Sequence, residues 1–374
     1  MIIAVNTRLL IKDKLDGIGW FTYESLKRIT TQHPEHQFYF IFDRHYHNDY
    51  IFSENVTPIV LYPQARHPLL FYLWFEYSLA SLLKRLNADL FLSPDGYLSL
   101  KSSTKSLAVI HDLNFEHYPK DLPFLIRLYY RHYFPKFAAK AVRIATVSEF
   151  SKQDIVSLYN VPAEKVDVVY DGANETYLPL LPDEINAVRK KYAEGSPYFI
   201  FIGSIHPRKN LVNLFRAFDI FKKTDHAGVK LLVVGEKKWW TAEINRAFNN
   251  MRFAGDVIFT GRLRTGELRM ALGGALALTY VSYFEGFGIP IIEAFRMHVP
   301  VITSNVTSMP EVAGDAALFA DPWNPGSIAE VMKQVAEDQS LRDTLVRKGE
   351  SRKELFTWQK TADRLWESVE KALK

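Results

Sequence analysis

Hydrophobic positions along the chain alternate between two textures. Short runs rich in Val, Ile, Leu and Phe recur at residues 2–5 (IIAV), 38–42 (FYFIF), 58–62 (PIVLY), 89–93 (DLFLS), 107–112 (LAVIHD), 143–148 (RIATVS) and 165–170 (KVDVVY). Helix-length amphipathic segments separate them. Strands alternating with helices predict a parallel sheet covered on both faces. The stretch DGANETYLPLLPDEINAVRKKYAEGSP then reads as a connector with a short helix, because Gly, Asn and three Pro residues break regular structure. After it the rhythm restarts at 198–204, 229–236, 257–261, 275–282 and 299–303, predicting a second parallel sheet. The pattern therefore predicts an α/β chain of two doubly wound domains, residues 1–178 and 179–356. A final helix within 357–374 has apolar residues at helical spacing and is expected to pack back on the first domain.

Length agrees with this division, since 374 residues exceed what one hydrophobic core usually supports. Two such domains are expected to face a cleft, with ligands at the carboxyl ends of the strands. Hydrophobic residues at 48% and charged residues at 24% fit a soluble globular protein. A net charge of +4 suits an anionic ligand or an acidic membrane surface and is far too small to indicate nucleic acid. Zero cysteines exclude disulfides, thiolate metal sites and a cysteine nucleophile, and fit a reducing cytoplasm. The start, MIIAVNTRLL, begins as a strand and lacks signal-peptide features. No apolar run reaches the roughly 20 residues needed to span a bilayer.

The densest chemistry lies in YFEGFGIPIIEAF, residues 283–295. Pro290 suits a first helical turn, which starts the helix near Ile289. Gly286 and Gly288 then precede a helix N-terminus, where unpaired N–H groups favour anionic or oxygen-rich ligands and small residues permit close approach. Glu285 and Glu293 flank this loop. Carboxylates accept paired hydrogen bonds from vicinal hydroxyls, so two acids around a phosphate-friendly loop match a nucleotide sugar: hexose, diphosphate, ribose. Spacing alone equally fits a helix start whose two solvated acids offset the dipole. In GSIHPRKN, residues 203–210, Arg208 and Lys209 occupy a loop at a helix start and can grip a diphosphate, or form a solvated basic turn. No Asp-x-Asp pair, HExxH pattern or Cys/His cluster occurs, so no metal is expected; Arg208, Lys209 and helix N-termini are left to meet the phosphate charge.

RKNL, EGFGIPIIEAF, VPVITSNVTSMPEVAGDAALFADP and FTWQKTA together resemble the retaining glycosyltransferases of family 4, which have the GT-B fold of two Rossmann-like domains. DGIGWFTYESLKRI (16–29), IHDLNFEHYP (110–119), TVSEFSKQDI (146–155) and GEKKWW (235–240) extend the likeness nearly end to end. The resemblance implies that Arg208 and Lys209 hold the donor diphosphate and Glu293 the ribose hydroxyls. Glu285, with Gly286 and the backbone of Phe287, Gly288 and Ile289, would hold the transferred sugar. It also implies that His111, at a strand end where a lone histidine is more often structural, lies against that sugar. The loop of Gly17 and Gly19, by itself a weak G-x-G signal, would face donor phosphate or acceptor. Ser148 reads as a helix cap. One departure is FRMHVP (295–300): many relatives have a small residue and glycine where Met297 and His298 stand, and His298 reads as a packing or surface residue.

The expected reaction is transfer of a hexose to a glycan or lipid-linked glycan acceptor in surface polysaccharide biosynthesis. Mannose from GDP-mannose comes first because the HPRKN context resembles mannosyltransferases; UDP-glucose or another UDP-sugar is the alternative donor. A hydrolase using Glu285 and Glu293, a nucleotide-sugar epimerase and a silent nucleotide-sugar sensor remain open on the same residues. Residues 66–86 and 122–143 mix aromatics with Arg, Lys and His. They read either as amphipathic helices on an anionic membrane, at the inner face of the cytoplasmic membrane, or as a core-packed pair with a solvated basic face.

Overall fold

The structure, a computed structural model, describes residues 1–223 and 228–374. The chain divides into two compact units, Met1–Gly172 with Trp358–Lys374, and Ala173–Thr357. In the first unit the strands are β1 (Ile2–Asn6), β2 (Gln37–Phe42), β3 (Val56–Val60), β4 (Leu90–Ser93), β5 (Lys105–Val109), β6 (Arg143–Thr146) and β7 (Val166–Val168). They form one parallel sheet in the order β3-β2-β1-β4-β5-β6-β7. The order reverses between β1 and β4, where Ile3 pairs with Leu90.

The second unit holds β8 (Tyr198–Ile202), β9 (Lys230–Val234), β10 (Val257–Gly261), β11 (Ala277–Tyr280), β12 (Val301–Ser304) and β13 (Ala317–Ala320). This sheet is also parallel, in the order β10-β9-β8-β11-β12-β13. Five of its strands match the apolar runs of the sequence, and β13 (ALFA) is an addition to them. Every residue of β8 is buried, as expected for a strand covered on both faces. Phe199 and Phe201 pack with Phe215, Phe218 and Phe221 of the helix Leu211–Lys222 in one continuous core. Burying each such ring contributes about 1.5–3 kcal/mol.

The C-terminal helix Trp358–Leu373 belongs to the first unit, as its apolar spacing predicts. Its Trp366 stacks on His33, with ring centroids 3.8 Å apart and planes 17° from parallel, and Thr361 Oγ1 donates to Tyr170 O at 2.7 Å. Lys371 reaches Asp167 Oδ1 at 2.9 Å, and Lys105 Nζ donates to Leu373 O at 2.8 Å; a cation beside the last carbonyls is favoured by the helix dipole. Among the described residues no helix is long and apolar enough to cross a membrane.

Candidate active site

In the second sheet the order reverses between β8 and β11, so the loops after these strands flank the switch point where open α/β sheets bind ligands. The loop after β8 carries Arg208 and Lys209; the loop after β11 carries Glu285 and Gly286 and leads into the helix Ile289–Arg296. Backbone and side-chain bonds join the two loops. Tyr283 N donates to Arg208 O at 3.0 Å, and Asn210 Nδ2 donates to Val281 O at 2.9 Å and to Pro322 O at 2.7 Å.

Arg208 Nη1 lies 2.6 Å from Glu285 Oε2 and donates to Phe284 O at 3.0 Å, while Lys209 Nζ lies 2.6 Å from Glu285 Oε1. Burial alone would raise the Glu285 carboxyl, but Arg208 and then Lys209 outweigh it and hold it down at about 2. Two cations share one anion, leaving one net positive charge in a largely buried setting. Lys209 Nζ also donates to the Tyr280 hydroxyl at 2.5 Å. Tyr280, fully enclosed, has its own ionisation pushed well up by burial and by the Glu285 charge. It stays a neutral phenol that receives from Lys209 and can donate onward to Glu285.

Gly288 has φ +112°, a left-handed conformation that side chains disfavour, and caps the helix as it turns in. Pro290 occupies the first turn and the helix begins at Ile289, as the sequence predicts. The Ser308 hydroxyl lies 2.9 Å from Glu285 O and 3.0 Å from Phe287 O, and Glu285 N donates to Thr307 Oγ1 at 3.4 Å. The loop after β12 thus clamps the glycine loop from beneath. Glu293, one turn into the helix, has its carboxyl pushed up to about 7 by burial, and its charge is felt by Tyr177 of the connector and by Tyr280. Arg208, Lys209, Glu285, Gly286, Phe287, Gly288, Ile289 and Glu293 are therefore brought together in one unit.

His111, Gly17 and Gly19 belong to the other unit. The helix Gly17–Gln32 starts where GIG predicts, capped by Asp16, whose Oδ1 accepts from Gly19 N at 3.0 Å. A Cβ on Gly17 would meet nothing within 4 Å, whereas one on Gly19 would crowd Leu15 at 3.1 Å. His111 follows β5; its Nε2 lies 2.8 Å from Pro94 O, its carbonyl accepts from Ser151 Oγ at 3.1 Å, and Phe21 meets its ring edge-on at 5.0 Å. Ser148 caps the helix Glu149–Tyr159 through Ser151 N at 3.0 Å. His298 takes φ +57° at a helix end and pairs with Glu350 at 2.8 Å, so a residue with a side chain occupies the left-handed region there. Among the described residues no three His, Asp or Glu side chains gather in a group suited to a metal ion.

Sequence reasoning missed Tyr280, Tyr177 and Ser308. Tyr280 ends an apolar strand and looks like core, and only the spatial meeting of β8 and β11 sets its hydroxyl against Lys209.

The family model described as Glycosyltransferase Family 4 matches residues 16–177, and the one described as Glycosyl transferases group 1 matches residues 183–352. The chain is 30% identical over 260 residues to the O-antigen chain mannosyltransferase B of Escherichia coli, covering 68% of this chain and 67% of that relative. It is 26% identical over 268 residues to the O-antigen chain mannosyltransferase RfbU of Salmonella typhimurium, covering 71% and 70%. Its fold is similar to the crystal structure of WaaG, a glycosyltransferase involved in lipopolysaccharide biosynthesis, with a TM-score of 0.74 at 16% identity over 97% of this chain and 99% of that one.

Proposed function

The chain belongs to the family 4, group 1 glycosyltransferases with the GT-B fold, and from that membership we propose that it transfers a hexose, with retention, from a nucleotide sugar. The acceptor is a glycan or lipid-linked glycan of a surface polysaccharide, and GDP-mannose is the first choice of donor, because two relatives, 30% and 26% identical, are O-antigen mannosyltransferases.

The observation that carries this reading is the Arg208–Glu285–Lys209 triad at the β8/β11 switch point. An incoming diphosphate shares both cations and so loosens Glu285, whose oxygens turn to the hydroxyls of the transferred sugar. As the bond to the anomeric carbon lengthens, negative charge grows on the leaving phosphate, where Arg208 and Lys209 stabilise it. Glu293 accepts from the ribose diol. No metal enters this scheme. The hydrolase alternative is disfavoured, since a carboxylate ion-paired to two cations is a poor nucleophile and, held at about 2, a poor acid near neutral pH.

The test is a thermal-shift panel of GDP-, UDP- and ADP-sugars, because a ligand that binds only the folded state raises the melting temperature with its affinity. A rise with GDP-mannose, followed by mannosylation of a glycan acceptor with the α configuration kept, is the expected result. No shift with any nucleotide sugar sinks the proposal, and release of free sugar from an oligosaccharide without any nucleotide revives the hydrolase.

The first unit supports a further element of the reading, docking on an anionic membrane. Among the described residues, fifteen large hydrophobic side chains stay exposed, and seven of them lie in two short stretches: Tyr62, Leu69, Leu73 and Tyr77, then Phe124, Leu125 and Leu128. The helices bearing most of them are neighbours, with Phe71 against Tyr129 at 5.6 Å. Residues 66–86 and 122–143 hold eight Lys and Arg against one acid, Glu76, which is buried and accepts from Leu100 N and Lys101 N.

A further inference from the structure

Beside the switch point of the first sheet lies a buried ion pair that the reading above does not use. Arg8, just past β1, donates from Nε to Asp95 Oδ2 at 2.6 Å, and both side chains are over nine-tenths buried. The pair is enclosed on all sides. The guanidinium stacks over Tyr97, 4.3 Å from its centroid, with Phe71 at 5.1 Å, and Arg8 Nη1 donates to Ala65 O at 3.3 Å. Asp95 Oδ1 accepts from Asn6 Nδ2 at 2.8 Å, from Ser93 Oγ at 3.0 Å and from Tyr97 N at 3.4 Å. Gly96 follows with φ +81°, and a Cβ there would come within 3.1 Å of Val109 O, so the turn is pressed against the end of β5. Such a network has little freedom to move, and breaking one partner of it is costly.

The residue before Asp95 contributes its carbonyl to a histidine. Pro94 O stands 2.8 Å from His111 Nε2. A carbonyl can only accept, so this nitrogen must carry its proton. The tautomer of a histidine is set by the bond its other nitrogen makes. Burial also pushes the His111 imidazole below its ordinary value, against the pull of Pro94 O and of Asp112 and Asp95, so the ring is neutral near pH 7. Nδ1 is then a bare lone pair.

We infer that Arg8 and Asp95, with Asn6, are positioning residues for His111: they hold the Pro94 carbonyl on Nε2–H, and so present Nδ1 solely as a hydrogen-bond acceptor. The inference rests on the reading that His111 faces substrate. It adds a specificity. Nδ1 in this state accepts from a substrate hydroxyl and repels groups that offer only lone pairs, such as a carboxylate or an ether oxygen. A sugar lacking the hydroxyl at that place loses the bond and leaves the lone pair unmet.

The test uses the full chain with isotope-labelled histidine and two-bond nitrogen–proton correlation at neutral pH, the His111 signals being assigned by their loss in His111→Asn. The expected wild-type pattern is the neutral ring protonated at Nε2. Asp95→Asn should populate the other tautomer and lower kcat roughly 10-fold or more, with the donor KM within about 2-fold, as expected when a supporting hydrogen bond rather than a binding contact is lost. Arg8→Lys, which keeps the charge, should retain most of the wild-type pattern, whereas Arg8→Met should lose it and serves as the second variant if Asp95→Asn does not fold. A wild-type His111 protonated at Nδ1, or a tautomer unchanged in a folded Asp95→Asn or by loss of the Arg8 side chain in Arg8→Met, overturns the inference. A His111→Asn enzyme with full turnover would instead remove the substrate-facing reading on which it rests, whatever the tautomer.

Discussion

Glu293 carries a solution signature that the other site residues lack. Its folded value of about 7 lies above the usual carboxyl range because burial disfavours the charge. The stability this confers is present below pH about 4.5 and is lost as the pH rises through about 7, since the neutral acid is the form the fold prefers. In the proposed site donor binding has the opposite demand, for a ribose diol would donate to the carboxylate. Affinity for the nucleotide should therefore rise about 10-fold from pH 6 to pH 8, following the ionised fraction, and Glu293→Gln should flatten the curve at the weaker end. Calorimetric titrations across that range that show a flat wild-type profile would remove Glu293 from the ribose site. Arg208 makes a separate prediction. In the proposed mechanism its charge acts where the leaving phosphate becomes more negative, so Arg208→Ala should cut turnover by on the order of 100-fold. Turnover within a few-fold of the parent would show that the Arg208–Glu285 contact is structural only.

At the scale of elements, the predicted features with a local cause are those the structure reproduces. Pro290 and Gly288 set the start of the helix Ile289–Arg296, Asp16 and Ser148 cap theirs, and the apolar runs mark twelve strands. The strand β13 escaped because ALFA is short, has no β-branched residue and lies next to a helix-like segment; its pairing with β12 decides it. The roles of Tyr280 and of the Arg8–Asp95 pair were equally hidden, since each depends on two strand ends meeting that are 71 or 87 residues apart in sequence. Gly235 shows how tightly such ends meet. A Cβ there would fall 1.9 Å from Gly203 O, backbone against backbone, so nothing flexible can yield. Gly235→Ala should destabilise the second unit by roughly 3 kcal/mol and lower its melting temperature by about 5 °C or more. Because Gly203 opens the loop that carries Arg208 and Lys209, the donor-induced shift should shrink as well. A variant melting within about 1 °C of the parent, with the full shift, would mean that the loops after β8 and β9 are less closely apposed.

For the whole molecule, the uneven placement of charge matters more than its sum. A net +4 is modest, yet the two stretches rich in exposed aromatic and aliphatic residues hold eight basic residues against one buried acid, so the remainder of the chain is net acidic. The helix Phe124–Lys140 illustrates the arrangement. Tyr129, Phe134, Phe137 and Ala138 face the core, while Phe124, Leu125 and Leu128 are more than half exposed and Arg131, His132 and Lys136 follow them on the surface. Apolar residues on both sides of a helix serve two environments, and basic neighbours select an anionic one. Each Lys or Arg near such a surface contributes about 1 kcal/mol, and the attraction weakens within a Debye length, so binding should depend on both lipid charge and salt. The protein should co-float with phosphatidylglycerol-containing vesicles at low salt, bind phosphatidylcholine vesicles poorly, and lose about 10-fold in partitioning when Leu125→Glu and Leu128→Glu are combined. Both positions are exposed, so the double variant should keep its fold and its activity on a short soluble acceptor while losing activity on a bilayer-anchored one. Equal flotation with neutral and anionic vesicles, or partitioning unaffected by the two glutamates, would return these helices to the alternative of a core-packed pair with a solvated basic face.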